Sequence, residues 1–262
     1  MFNALPLNKH HLSTAASTAL PIVITPSYRG LLVASFIMAT WVASLAILLS
    51  LPLEQQPVFW RPVAILWQTF LYAGLFITAH DAMHGVVSPN PKVNRFIGTL
   101  ALLLYGLFSY SQLCRTHWQH HHHPASELDP DFHNGKHKNP FAWYFCFLQR
   151  YWSWGRFLGL IASFHAMHLL LHVPEANLVQ FWIVPSILSS MQLFYFGTYL
   201  PHREPADGYQ DVFRTQSSYR PFWLSFLTCY HFGYHHEHHE YPHAAWWQLP
   251  AIAQSNVQRR SD

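Results

Sequence analysis

Charged residues are scarce in this chain. Only 10% of its 262 residues are Asp, Glu, Lys or Arg, whereas a typical soluble domain contains about 25%. Hydrophobic residues make up 51% of the chain and aromatic residues 17%. This balance excludes an ordinary soluble globular domain, and we therefore predict a membrane protein.

Cysteines and clustered basic residues are also few. The three cysteines are widely spaced and odd in number, so neither a disulfide framework nor a cysteine zinc site is indicated. The net charge is only +3, and the Lys and Arg residues form no basic run, so no nucleic-acid partner is expected. The N-terminus has no compact apolar core followed by small residues, and a cleaved signal peptide is therefore not expected.

Apolar segments along the chain approach the length of about 20 residues that a bilayer-spanning helix needs. We predict transmembrane helices at residues 30–51, 63–79, 157–173 and 178–200. A further apolar stretch, residues 96–113, is too short to cross the bilayer twice. A single crossing there would separate two groups of histidines. We expect it to lie in the interface or to be re-entrant, with a bend near Gly106. The predicted fold is an all-α integral membrane protein with four transmembrane helices, this extra helix and a histidine-rich helical cap.

The same segments predict the domain organisation and the orientation. Residues 1–28 are expected to form a flexible N-terminal tail, residues 29–247 a single membrane domain and residues 248–262 a loose C-terminal tail. Of the fifteen Lys and Arg residues, all except Arg61 fall on the side of the membrane that carries the histidine groups. The positive-inside rule therefore places the histidine groups and both termini on the cytoplasmic side.

Histidine is the residue present in excess, with 21 copies against 12 acidic residues. Three groups stand out: HDAMH, HWQHHHH and HHEHH. Histidines spaced i, i+3 and i+4 share one face of a helix, so their imidazoles are expected to point at one spot. Neutral imidazole is the commonest protein ligand for metals and suits Fe, Zn, Cu and Ni. The predicted metal ligands are His80, His84, His117, His120, His121, His235, His238 and His239.

The positions of several other histidines indicate whether they are metal ligands. His122 lies about 100° around the helix from His121, and His123 precedes a proline, which disfavours helical geometry; we therefore exclude both. His202 ends the last predicted span on the side of the three groups and is the predicted ninth ligand. A stripe within the third predicted span is expected to serve helix packing or the substrate pocket; it comprises His165, His168 and His172.

The number of ligands and the nearby acids refine this hypothesis. Nine imidazoles exceed what one ion binds, so we expect two metal ions with positions left open for an exogenous ligand. A ligating imidazole normally donates its outer N–H to an acceptor. The acidic residues expected to accept these bonds are Asp81, Asp129, Asp131 and Glu237.

The three histidine groups resemble the histidine boxes of the membrane fatty-acid desaturase and hydroxylase superfamily. More narrowly, four strings are similar to bacterial beta-carotene ketolases, the 4-oxygenases of carotenoid synthesis. These strings are ITAHDAMHG, ELDPDFH, FGTYLPHR and CYHFGYHHEHHEYPHAAWWQLP. The HHHH run departs from a plain HxxHH box, and the histidine stripe in the third span is not part of the family pattern.

The resemblance implies a di-iron oxygenase domain. It implies two Fe2+ ions bound by the histidine boxes, O2 as co-substrate and beta-carotene as substrate, reached from the lipid bilayer. It also implies two successive hydroxylations at C4 and loss of water to a ketone, giving echinenone and then canthaxanthin. The sequence contains neither a dinucleotide fingerprint nor a cysteine iron–sulfur pattern, so a ferredoxin-like electron donor is expected. Such an enzyme would lie in a bacterial cytoplasmic or thylakoid membrane.

Other functions remain open at this point. A carotenoid 3-hydroxylase or an acyl-lipid desaturase of the same superfamily would carry the same histidine groups. A divalent-metal transporter is the alternative outside the enzymes, since intramembrane histidines also mark ion pathways. A transporter should distribute its ligands along a path through the bilayer, whereas these groups are expected to gather at one face.

Overall fold

The computed structural model describes residues 28–133 and 135–261, which form helices joined by turns and loops without a β-strand among them. The predicted all-α fold is confirmed. The predicted N-terminal tail lies outside the described residues, apart from Tyr28. The helices are α1 (Arg29–Ser50), α2 (Arg61–Met83), α3 (Pro91–Gly106), α4 (Tyr110–His122), α5 (Pro140–Arg150), α6 (Trp154–Leu170), α7 (Glu175–His202), α8 (Phe222–Cys229), α9 (His235–Glu240) and α10 (Leu249–Ser261).

Helix α2 lies at the centre of the fold. Its side chains Tyr72, Leu75 and Ile77 are fully buried, and it packs against α1, α3 and α7. Burial on all sides explains why this helix is apolar around most of its circumference rather than along one stripe. Its C-terminal end carries His80 and reaches His84, so the best-packed helix of the fold positions the first histidine group.

Among the described residues, α1, α2 and α7 are long and apolar enough to cross a bilayer. A fourth crossing is present if α3 and α4 are counted together as one bent span. The structure thus contains three to four candidate crossings, compatible with the four that the sequence predicts. Helix α6, which covers most of the predicted third span, has 17 residues and no buried side chain, and its length lies at the lower end of the range for a full crossing.

Helices α3 and α4 correspond to the segment predicted to bend near Gly106. They meet at an angle of 98°. The bend occurs at Leu107, whose φ of 58° is left-handed, and α4 then starts with the Ser109 side chain accepting the backbone N–H of Gln112. The turn therefore returns the chain towards the end of α2. The Tyr110 hydroxyl of α4 donates a hydrogen bond to the Ala82 carbonyl of α2 (2.9 Å), which links the two helices.

The C-terminal segment differs from its prediction as a loose tail. Residues Leu249–Ser261 form α10, and Leu249, Ile252 and Ala253 are buried against Tyr234 and its neighbours. The expectation of a loose segment is wrong because these apolar residues recur at helical spacing within an otherwise polar sequence. Helix α10 thus packs beside the third histidine group.

Helix α7 contains two stretches of π-helix, at Val179–Ile183 and Phe194–Tyr199. Such stretches are rare and occur frequently at functional sites. The second one lies just before His202, where α7 ends. It therefore widens the helix beside the last predicted ligand.

Candidate metal centre

Four separate parts of the chain deliver histidines to one region. These are the C-terminal end of α2, helix α4, the last turn of α7 and helix α9. All nine predicted ligands meet there, in two adjacent groups. The five-histidine cluster comprises His80, His84, His117, His121 and His238, and the four-histidine cluster comprises His120, His202, His235 and His239.

In the five-histidine cluster the Nε2 atoms face one another. The Nε2 atom of His117 lies 2.7 Å from that of His84 and 3.1 Å from that of His121. The Nε2 atom of His238 lies 3.0 Å from that of His121 and 3.2 Å from that of His80. Five imidazole nitrogen atoms therefore surround one small space, an arrangement expected of metal ligands.

The four-histidine cluster has the same character. The Nε2 atom of His239 lies 3.1 Å from that of His235 and 3.2 Å from that of His120. The ring of His202 completes the group, with its centroid 4.6 Å from that of His120. Its Nε2 atom is buried without a hydrogen-bond partner among the described residues. Buried polar atoms usually have a partner, and a metal ion would supply one here.

Each of the longer histidine groups is divided between the two clusters. In α4, His117 and His121 belong to the five-histidine cluster, whereas His120 belongs to the four-histidine cluster. In α9, only His238 belongs to the five-histidine cluster, and His235 and His239 belong to the four-histidine cluster. The expectation that each trio points at one spot is therefore wrong. Adjacent helical residues point about 100° apart, so one helix serves two centres, whose nearest rings, His121 and His239, stack at 4.2 Å.

The surroundings of the three candidate ligands in α9 favour their neutral form. Burial, reinforced by repulsion from neighbouring imidazoles, holds the pKa of His235, His238 and His239 well below the usual histidine value. Neutral imidazole is the form that binds metals. The donor set, its burial and its orphaned nitrogen atoms are thus compatible with a metal site of nitrogen ligands.

Asp129 contacts one of the candidate ligands, His120. Its Oδ1 atom accepts the outer N–H of His120 at 2.9 Å, and its carboxylate also accepts the backbone N–H groups of Ala125 and Asp131 at 2.8 Å each. Burial opposes ionisation, but the charge and hydrogen bond of His120 lower the pKa of Asp129. The ionised carboxylate therefore fixes the tautomer and orientation of His120.

The other predicted acids differ in their contacts. Asp81 lies 3.6 Å from the outer nitrogen of His80, which is too long for a strong hydrogen bond. Burial raises the pKa of Asp131, and this carboxyl accepts a hydrogen bond from the Tyr151 hydroxyl. Glu237 accepts hydrogen bonds from Ser217 and Tyr219 and has no histidine partner among the described residues, so its predicted contact with a ligand is not present.

The other histidines that the structure describes lie outside both clusters. His122 and His123 are exposed, and His243 binds the backbone carbonyl of His84 (3.0 Å). Near the end of α6, His168 contacts the Val173 carbonyl at 3.0 Å and lies 3.5 Å from Glu175. His231 is also buried and contacts the Ser225 hydroxyl (3.1 Å). No sequence pattern predicted this, because a single histidine before the third group carries no signal of its own.

An apolar cavity of about 310 Å³ leads to both clusters. At its inner end it is lined by His80 and His117 of the five-histidine cluster and by His120 and His235 of the other. Its walls are mainly aromatic and aliphatic side chains from α2, α3, α5, α6 and α7, together with Phe232. A small apolar cavity that ends on potential metal ligands is typical of a binding site for an apolar substrate.

Two kinds of comparison place the chain among known proteins. The model of the fatty acid desaturase family matches residues 57–166 and 147–259. Beta-carotene 4-ketolase 3 of Haematococcus lacustris is 39% identical over 278 residues, which cover 94% of this chain and 83% of that protein. The beta-carotene ketolase of Paracoccus sp. (strain PC1) is 46% identical over 186 residues, covering 70% and 74%. The zeaxanthin 4-ketolase of Chlamydomonas reinhardtii is 45% identical over 204 residues, covering 74% and 45%. The chain therefore belongs to the fatty acid desaturase family and, within it, to the beta-carotene ketolases.

Proposed function

We propose that this membrane protein is an oxidoreductase that converts beta-carotene to echinenone and canthaxanthin. The observation that carries the proposal is the apolar cavity that ends on both histidine clusters. The names of the relatives support the same reaction, since they are ketolases of beta-carotene or zeaxanthin. A 3-hydroxylase or desaturase would share the clusters, and the ketolase relatives favour oxygenation at C4.

The proposed cofactor is a pair of Fe2+ ions, one held by each histidine cluster. Imidazole suits iron, and the chain has no group of cysteine thiolates near these nitrogens to favour a softer metal. When bound, the iron pair would supply reductive activation of O2, so that one oxygen atom enters a C–H bond and the other leaves as water. The chain's part is to hold the imidazoles in a fixed orientation, as Asp129 does for His120.

The proposed reaction at each ring takes place at the allylic C4. A first hydroxylation gives the alcohol, a second hydroxylation at the same carbon gives a gem-diol, and loss of water gives the ketone. Each hydroxylation consumes one O2, two electrons and two protons. One such sequence yields echinenone, and its repetition at C4' of the other ring yields canthaxanthin.

The cavity determines how a long hydrocarbon is bound. Its volume of about 310 Å³ is at the lower end of the range for small-molecule pockets, so it accommodates one end of a 40-carbon chain and not the whole molecule. Two of its lining residues are exposed on the outer surface, Leu148 by 37% and Ile187 by 51%. Because α7, which carries Ile187, is a candidate membrane span, we propose that the polyene leaves the cavity here into lipid.

The electrons are proposed to come from a ferredoxin-like donor at the cytoplasmic side. This side is the one assigned to the histidine clusters by the distribution of Lys and Arg. The donor would meet the chain near the exposed His122 and His123, which follow the ligands of α4. Its acidic surface would complement the chain's positive net charge of +3.

The test is expression of the chain in cells that accumulate beta-carotene, followed by pigment analysis and metal measurement. We expect echinenone and canthaxanthin, together with about two irons per purified chain. Only 3-hydroxylated pigments would indicate a 3-hydroxylase, and altered fatty acids with unchanged pigments a desaturase. Weakly held, exchangeable zinc without pigment conversion would indicate a transporter and would overturn the proposal.

A further inference from the structure

The ring of Phe232 lies beside the histidines at the inner end of the cavity. It lines the cavity and is only 6% exposed. Its centroid lies 4.8 Å from that of His80 and 5.9 Å from that of His238, both in the five-histidine cluster, and 5.3 Å from that of His235 in the other cluster. It therefore contacts both clusters and the space in front of them.

The Cδ1–Cε1 edge of this ring lies against Gly197. A Cβ atom at position 197 would lie 2.6 Å from Cδ1 and 2.7 Å from Cε1 of Phe232, closer than real Cβ contacts come. Gly197 belongs to the π-helical stretch Phe194–Tyr199. Because glycine has no side chain, the ring of Phe232 can pack directly against the backbone at position 197. This close packing leaves the ring little freedom to move away from the histidines.

The backbone before Phe232 is held in an unusual conformation. Tyr230 and His231 have φ values of 46° and 60°, and two consecutive left-handed residues other than glycine are uncommon. Both are anchored by their side chains: Tyr230 stacks on Phe70 with centroids 4.3 Å apart, and His231 contacts the Ser225 hydroxyl (3.1 Å). Strained backbone of this kind persists where the surroundings enforce it and is concentrated at functional sites.

We propose that Phe232 determines which carbon of the carotenoid ring is oxidised. This inference rests on the proposed ketolase function. C3 and C4 are bonded neighbours about 1.5 Å apart, the length of a C–C single bond, so the choice between them requires positioning to a fraction of that distance. A flat ring fixed between Gly197 and the histidines supplies such a surface, and a displacement of about 1 Å at a reacting centre changes rates by roughly 100-fold.

The experiment replaces Phe232 by leucine and analyses the pigments in beta-carotene-producing cells. The smaller, non-planar side chain lets the substrate ring shift, and we expect the ratio of 4-oxygenated to 3-oxygenated products to fall at least about tenfold. The matched control is Phe181→Leu, because Phe181 is buried like Phe232 but stacks on Trp60, with ring centroids 5.7 Å apart, and does not line the cavity. The control should keep the wild-type product ratio.

A second variant, Gly197→Ala, keeps phenylalanine at position 232, but the added methyl group displaces its ring. It should change the product ratio in the same direction. Iron content and the amount of protein in the membrane are measured for every variant. An unchanged ratio in Phe232→Leu with normal iron content overturns the inference. Loss of protein from the membrane in both Phe232→Leu and Phe232→Met, while Phe181→Leu is retained, also overturns it. If the wild-type chain makes no ketone, the proposed function fails instead.

Discussion

His121 and His122 are sequence neighbours with opposite environments, and their separate replacement by alanine tests the assignment of ligands. The Nε2 atom of His121 lies 3.1 Å from that of His117 and 3.0 Å from that of His238. His122 is exposed and contacts only the Trp118 ring, at 5.8 Å between centroids. The two variants remove the same side chain from the same helix, so helix propensity and local charge change equally.

The size of the effect follows from the number of ligands. A structural site of four ligands binds zinc with about 10–16 kcal/mol, so one ligand contributes on the order of 3 kcal/mol. We therefore expect His121→Ala to weaken metal binding at the five-histidine cluster by roughly 100-fold. His122→Ala lies on the surface and should change stability and binding by no more than about 0.5 kcal/mol.

The assay is chelator competition against the purified, iron-loaded protein in detergent, with iron counted per chain. Wild type and His122→Ala should retain about two irons at a chelator concentration that removes one or both from His121→Ala. Ketone production should be lost in His121→Ala alone. Equal iron retention in both variants would refute the ligand assignment, and loss only in His122→Ala would show that the register of the HHHH run is displaced by one residue.

Three further outcomes are expected. Asp129→Asn removes the charge that orients His120 and should lower metal affinity or activity by roughly 10–100-fold, measured by the same competition; unchanged affinity would contradict the role of the carboxylate. Asn177→Ala removes an amide that donates to the carbonyls of Leu48 (2.9 Å), Leu49 (3.2 Å) and Leu51 (2.9 Å) at the end of α1. It should destabilise the protein by about 1–3 kcal/mol in thermal unfolding without changing the products, and an unaltered melting temperature would argue against this contact. In a cysteine-free background, single cysteines at Lys92 and His123 should react with an impermeant label from the same side of the membrane. Reaction from opposite sides would exclude a shared centre.

Local spacing indicated eight of the nine candidate ligands, and the ninth, His202, was indicated by the side of the membrane on which its predicted span ends. Periodicities of i, i+3 and i+4 depend only on helix geometry, so the sequence could separate His117, His120 and His121 from His122 and His123. The same reasoning predicted the bend after α3, because a straight crossing would have separated the first two histidine groups. It also identified Asp129, a rare acid close in sequence to the second group.

The tertiary structure decided how these residues are used. The division into two clusters depends on contacts such as that between His120 and His239, which are 119 residues apart, and no local pattern contains that information. The contacts of Glu237 with Ser217 and Tyr219 and the packing of α10 beside the third group are likewise long-range. The position of Phe232 against Gly197 has the same origin. Helix periodicity thus determined which side chains could bind metal, whereas packing between distant helices determined which centre each one serves and what space lies in front of it.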